Sequence, residues 1–305
     1  MDAIQKKLLS EVADLHGVPQ GAYSLRVDGA LYGKNDSENI TIVKKEDQPG
    51  IDIYVKAGTK NESLHIPVLI AKSGLRELVY NDFHIGEDCD VTIVAGCGIH
   101  NGGDEESEHS GIHSFYLAKG ARVRYVEKHY GQGDGKGKNV MNPTTVAVLA
   151  EDSYLEMETA QIKGVDSTKR TTRATLASGA TLIVREKIMT HGEQFAETDF
   201  TVDLDGENCG THVISRSVAR DNSRQTFLSR VRGNARCNGR TECDAIIMDD
   251  ACVTALPQIE ANHVDASLIH EAAIGKIAGE QLIKLMTLGL TEKEAEETII
   301  EGFLK

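Results

Sequence analysis

Tryptophan is absent from this 305-residue chain, and aromatic residues make up only 5% of it. A wall of stacked rings for bases or sugars is therefore excluded. Basic residues are outnumbered by acidic ones, 33 to 47, for a net charge of −14. Broad contact with a nucleic-acid backbone or an anionic membrane needs a basic field, so neither is an expected partner. No apolar run approaches the ~18 residues of a membrane span. The opening MDAIQKKLLSEVADLHG mixes both charges and lacks the apolar stretch of a signal peptide, so the expected location is cytoplasmic. There the six cysteines, at 89, 97, 209, 237, 243 and 252, are expected as thiols. None forms a Cys-x-x-Cys pair, which disfavours zinc-ribbon, thioredoxin and ferredoxin spacings. No Gly-x-x-x-x-Gly-Lys-Ser/Thr loop occurs, so ATP hydrolysis would belong to a partner. Proline is scarce, at 5 residues, while glycine reaches 29. Such a chain turns often, on Gly, Asn and Asp.

Residues 2 to 16 predict one amphipathic helix, capped by Asp2 and ended by Gly17 and Pro19. From about residue 22 the period is two, with strands expected at Asn39–Val43, Ile51–Val55, Leu64–Ile70 and Glu77–Tyr80. A degenerate repeat follows, in which a small or acidic turn leads into alternation. Examples are Asp88-Cys89-Asp90-Val91-Thr92-Ile93 and Gly179-Ala180-Thr181-Leu182-Ile183-Val184. Its turns at 88, 120, 152, 179, 207 and 234 are spaced by 32, 32, 27, 28 and 27 residues. A recurring unit of this size fits a coil of several short strands stacked into a β-solenoid. An ordinary β-sandwich with regular hairpins is the competing architecture. After His270 the period turns helical, with short helices at about 280–288 and 292–303, the second opened by a Thr291/Glu294 capping box.

Several residues carry candidate chemistry. The run 100–113 combines four acids with three histidines, either an iron-collecting segment or, more simply, a solvated acidic loop. Gly131–Lys138 reads as a flexible turn. Cys89, Cys209 and Cys252 sit near repeat turns and suit packing. Cys237 lies between Arg236 and Arg240, which would lower its pKa. Paired carboxylates at Asp203/Asp205 and Asp249/Asp250 keep open a β-helix carbohydrate enzyme.

Five separated blocks near the C-terminus resemble one family. They are Cys243-Asp244-Ala245, Pro257-Gln258-Ile259-Glu260, His270-Glu271-Ala272, Gly275-Lys276-Ile277 through Glu280-Gln281-Leu282, and Gly289-Leu290-Thr291-Glu292-Lys293-Glu294-Ala295. Together they are similar to the C-terminal signature of the SufB/SufD proteins of the SUF iron–sulfur assembly machinery. Ala95-Gly96-Cys97, His109 and Ala121–Tyr125 extend the resemblance, which covers roughly residues 80 to 305. The chain departs from the family in a short N-terminal region, as a minimal version would, and in Gly98-Ile99-His100 after Cys97.

The resemblance implies a right-handed parallel β-helix with short α-helices at both termini. The expected division is an N-terminal region 1–38, a β-helix core 39–268 and a helical docking region 269–305. The function implied is a scaffold for nascent iron–sulfur clusters, [4Fe-4S] or [2Fe-2S], itself not an enzyme, working with a SufC-like ABC ATPase. It would pair with itself or with a SufB/SufD paralogue, and take sulfur from a donor protein or as sulfide. A structural SufD-like subunit without its own cluster site is the alternative. The implied ligands are Cys243, His270 and Glu271, with Cys97 as sulfur acceptor and Cys237, Glu242 and His109 as secondary candidates. Leu282, Met286, Ile299 and Phe303 would form the partner surface. Mixed thiolate, imidazole and carboxylate ligands hold a cluster less tightly than four thiolates, as release requires. His270 and Glu271 are neighbours, so on a regular strand they face opposite ways.

Overall fold

The computed structural model describes residues 1–305. Helix α1 (Ala3–Ala13) precedes the strands β1 (Ala22–Val27), β2 (Ala30–Asn35), β3 (Ile40–Lys44), β4 (Gly50–Val55), β5 (Lys60–Ile70), β6 (Arg76–Ile85), β7 (Asp90–His100), β8 (Ser107–Leu117), β9 (Arg122–Gln132) and β10 (Asn139–Met141). Next come β11 (Thr144–Leu149), β12 (Tyr154–Lys163), β13 (Ser167–Leu176), β14 (Thr181–Thr190), β15 (Phe195–Leu204), β16 (Gly210–Ala219), β17 (Arg224–Gly233), β18 (Asn238–Ile247), β19 (Cys252–Ala261) and β20 (Ser267–Gly275). Helices α2 (Gly279–Thr287) and α3 (Glu292–Leu304) close the chain. No helix is long and apolar enough to cross a membrane.

The strands form a β-solenoid of about 8 turns. One ten-stranded sheet runs β2-β1-β5-β7-β9-β12-β14-β16-β18-β20, and the other runs β19-β17-β15-β13-β10-β8-β6-β4-β3, with β11 between β8 and β13. Each coil is thus two strands of about ten residues rather than several short ones. Pairing is parallel except for β1 with β2 and β3 with β4 at the N-terminal end. That excludes the sandwich of hairpins. The sheets also begin earlier and end later than 39–268, at Ala22 and at Gly275.

The repeat turns at 88, 120, 152 and 179 are where the spacing placed them, the next turns on Asn208 rather than 207, and the connection at 234 bends without a left-handed residue. Asp88, Gly120, Asp152, Gly179 and Asn208 all have positive φ, the left-handed conformation that Gly, Asn and Asp adopt at least cost. Successive coils stack closely there: a methyl on Gly179 would stand 2.1 Å from Asp152 Oδ1. Between the turns, alternate side chains point inward, and one continuous apolar cluster, from Ala22 to Cys243, fills the space between the sheets. Helix α1 lies outside this core. Leu8, Leu9 and Val12 pack on Leu25 and Leu69, and a methyl on Gly96 would stand 2.6 Å from Val12 O.

The glycine-rich segment 131–138 is a packed element, not a flexible turn. Gly135 N–H donates to Asn101 O at 3.2 Å and Gly137 N–H to Gly103 O at 2.9 Å. A methyl on Gly135 would stand 2.2 Å from Gly103 O. The glycine at every second position is therefore set by backbone stacking of one coil on the next. Gly135→Ala is expected to cost at least the ~1–3 kcal/mol of an overpacked site. A urea midpoint equal to wild type would show that the two segments separate freely.

Candidate functional site

The inward register is apolar near the repeat turns and polar farther along each strand. On β9, Val123 and Tyr125 are followed inward by Glu127 and His129, all buried. On β8, facing it, His109 and His113 are buried. The run 107–113 is thus an inward-facing strand rather than a solvated loop, although 101–106 does form the connection. Cys97 and Ala95 on β7, Gly111, His109, His113, Glu127, His129 and Asn81 enclose a cavity of about 20 Å³.

Glu127 is the electrostatic centre of this region. It accepts from Tyr125 Oη at 3.0 Å and pairs with Arg170 on β13. Arg170 also lies 3.5 Å from Glu186 on β14. Burial pushes the Glu127 carboxyl up, but Arg170 and His129 together hold it well below the usual carboxylate range. Burial pushes His113 down to about 4, and His129 down as well, so both are neutral imidazoles at neutral pH. Burial, reinforced by Glu77 and Glu127, holds the Cys97 thiol well above its ordinary value.

A ladder of inward side chains runs along the axis from this cavity. Ala95, Glu127, Thr159, Glu186, Ser215 and Cys243 are successive register partners. Five strand spacings of ~4.8 Å separate β7 from β18, about 24 Å in all. At the far end Glu186 accepts from Thr198 Oγ1 at 2.8 Å and from Ser215 Oγ at 2.9 Å. Cys243 lines a second small cavity with both. Its thiol is pushed up to about 12, by burial and then by Glu186.

The last coil separates the other expected ligands. His270 faces inward, with Nδ1 2.8 Å from Thr241 Oγ1, and so shares a face with Cys243, two residues beyond Thr241. Glu271 faces outward and accepts from Arg240 Nη2 at 2.8 Å. Arg240 is also 2.6 Å from Glu242, which lies 2.9 Å from His212 Nε2. Glu242 and Glu271 therefore belong to an outer-face charge cluster, away from the thiol. Cys237 departs from the reading based on Arg236 and Arg240. It lies buried in the main core, and burial pushes its thiol up, not down. Cys252 is exposed. Asp203 is paired with Arg232, Asp205 accepts from Asn234, and Asp249 accepts from the Asp221 N–H. Those acids serve the coil architecture and form no paired catalytic site.

Glu127, His129, Arg170 and Glu186 went unread in the sequence. Their signal is a charge on the inward side of the alternation, at the fourth residue of β13, the sixth of β9 and β14 and the eighth of β9.

Residues 78–303 match the family described as SUF system FeS cluster assembly, SufBD core domain. The chain belongs to the SufBD family. That membership supports a role in iron–sulfur cluster assembly. An iron–sulfur cluster assembly SufBD family protein of Methanothermobacter thermautotrophicus is 26% identical over 243 residues, 78% of this chain and 57% of the relative. One from Methanocaldococcus jannaschii is 27% identical over 272 residues, 88% of this chain and 85% of the relative. The iron–sulfur cluster assembly protein SufB of Bacillus subtilis is 25% identical over 264 residues, 84% of this chain and 55% of the relative. This SufBD chain thus spans just over half the length of the Methanothermobacter and Bacillus relatives.

Proposed function

We propose that this SufBD chain is a scaffold on which a nascent iron–sulfur cluster is built as cargo. The observation carrying this reading is the inward polar row Glu127-Thr159-Glu186-Ser215, which starts beside the Cys97 cavity and ends on Cys243. Burying Glu127, Arg170 and Glu186 is costly, and an all-apolar core would be at least as stable. A continuous polar row therefore points to a cargo that moves along it. Sulfur is accepted at Cys97 from a donor protein's persulfide: the Cys97 sulfur bonds to the outer sulfur, the donor's S–S bond breaks, and the donor leaves as a thiol carrying the Cys97 proton, in the cavity that His113 and His129 line. Cys243 on β18 and His270 on β20, the last strand of the same sheet, offer thiolate and imidazole at the other end. Iron displaces the Cys243 proton on binding, since only the thiolate is a ligand.

The open end supports assembly with a second copy of this chain or a paralogue. Strands β19 and β20 are the free edges of the two sheets, and both are exposed along their length. The β19 edge is blunted by Pro257, a residue that edge strands tolerate. The β20 edge, beside Cys243, carries no proline. Pairing there would bring a second chain's outward Glu271 and inward His270 to the same end. Ala272→Pro on β20 is expected to leave the monomer folded and to abolish dimers in light scattering; an unchanged mass would move the contact elsewhere.

The ABC-type ATPase is assigned to α2. That helix buries no residue and exposes Ile283 at 63%, Met286 at 42% and, just beyond it, Leu288 at 76%. Leu282 and Ile299 are half-buried, while Phe303 packs with Ile300 and Leu304 near Val218 on the solenoid. The docking stripe is thus Ile283-Met286-Leu288 rather than the Leu282-Met286-Ile299-Phe303 set. Ile283→Asp is expected to abolish co-purification with the ATPase without changing the β-sheet spectrum; retained co-purification would leave α2 as a cap.

The scaffold reading is tested by anaerobic reconstitution with ferrous iron and sulfide. Bound sulfide with at least as much iron per chain, and visible thiolate-to-iron absorption, is expected. Iron bound without sulfide would refute cluster assembly on this chain.

A further inference from the structure

The cavity beside Cys97 has a shape of its own. Inward positions on β8 alternate through His109, Gly111 and His113. A methyl on Gly111 would stand 2.7 Å from His113 Nε2 and 3.4 Å from His109 Nε2. Both Nε2 atoms therefore face one notch, kept open because residue 111 lacks a side chain. The far ring nitrogen of His109 lies 3.4 Å from Glu77 Oε2, and Arg26 Nε donates to Glu77 Oε1 at 2.7 Å. A carboxylate behind an imidazole whose other nitrogen faces open space is the outer-shell arrangement that orients metal-binding histidines. Glu77 Oε2 and His109 Nδ1 are both buried and meet no polar group but each other, so the carboxylate fixes which His109 nitrogen is turned to the notch. The cavity of about 20 Å³ has room for one small atom. Cys97 forms another wall.

We propose that this notch binds one divalent transition-metal cation, through His109 Nε2, His113 Nε2 and the Cys97 thiolate. Two imidazoles and a thiolate suit Fe²⁺, Co²⁺ or Zn²⁺ and disfavour Mg²⁺ and Ca²⁺, which take oxygen ligands. Nowhere in the chain do three His, Cys, Asp or Glu side chains already converge at closed metal geometry. Binding therefore turns the two rings and draws Cys97 toward the notch, with release of the thiol proton. This site is distinct from the cluster ligands at Cys243, about 24 Å along the axis. It stands whether or not a cluster is built there.

The test uses Co²⁺ alone, added anaerobically to Cys243→Ser protein so that the C-terminal thiolate cannot contribute. One cobalt per chain is expected, with tetrahedral ligand-field bands and a thiolate-to-cobalt charge-transfer band. His113→Ala and Gly111→Ala should each weaken binding by about 100-fold or more. The second leaves all three ligands in place and fills only the notch. Cys97→Ser should lose the charge-transfer band. His65→Ala, on the outer side of β5, should bind as its parent does. Folding is read from the far-UV spectrum, and His113→Gln replaces any alanine variant that unfolds. Absence of bound cobalt in the folded parent would overturn the site. So would an affinity unchanged by both His113 replacement and Gly111→Ala. Because the parent lacks Cys243, failure here leaves the scaffold reading untouched, and failed cluster reconstitution leaves this site untouched.

Discussion

Arg170→Met is expected to lower the unfolding free energy by about 3–5 kcal/mol, the range for removing one partner of a buried ion pair. The side chain is 8% exposed and sits between Glu127 and Glu186. Glu186 keeps two hydroxyl donors without it, but Glu127 keeps only Tyr125 and His129. The loss should also depend on pH. In the wild type Glu127 is held well below its ordinary value. Its contribution is thus present above the unfolded pKa near 4.5 and is lost as pH falls through the lower folded value. Without Arg170, burial raises the folded pKa above the unfolded one, so the variant loses stability as pH rises. The gap between wild type and variant therefore narrows toward acid. Adding Glu127→Gln should restore part of it at neutral pH. Urea midpoints at two pH values decide the matter, and a loss below about 1 kcal/mol would mean that the pair is solvated or already protonated.

Cys243→Ser is expected to reduce sulfide after anaerobic reconstitution to background and iron to no more than the single ion of the Cys97 notch, with the β-sheet spectrum retained. Serine nearly matches the thiol in size, so the small cavity it lines with Glu186 and Ser215 is conserved. Its hydroxyl stays protonated near neutral pH and is a poor ligand for iron. Cys252→Ser, on the exposed edge strand, should reconstitute as wild type. Glu271→Gln should reduce cluster content with little loss of stability, because its only ion pair is an exposed one with Arg240. Wild-type content in Cys243→Ser would transfer the ligand role to Cys97.

The coil period, the turn residues and the helices were legible because each follows from local chemistry. Asp88, Gly120, Asp152 and Gly179 mark left-handed turns, and Thr291 with Glu294 marks a helix start. Two strands per coil were not legible, since period-two alternation is the same in a long strand and in two short ones. The earlier start of the sheets at Ala22 was hidden because β1 and β2 pair as a short hairpin before the parallel stack begins. At the site, Cys97, Cys243 and His270 were named by motif and all face inward. The interior charges escaped because a histidine or glutamate in an alternating strand reads as its solvent side. Which face is wet is decided by the facing sheet, through Arg170 and His113. The outward placement of Glu271 follows from β20 remaining regular through Gly275.

The register ladders make the molecule a nearly one-dimensional object, in which each coil is stabilised by its neighbours above and below. An interior coil such as β14–β15 has two neighbours; the coil of β19 and β20 has one. Fraying there breaks a single interface, so amide exchange should be fastest in this coil and slow progressively toward the middle. His270 and Glu271 lie on the strand that frays most easily, whereas Cys243 lies on the next one in. A bound cargo would therefore be held by one firm donor and by others whose grip opens at low cost, and occupancy of the neighbouring surface would set how often that opening occurs.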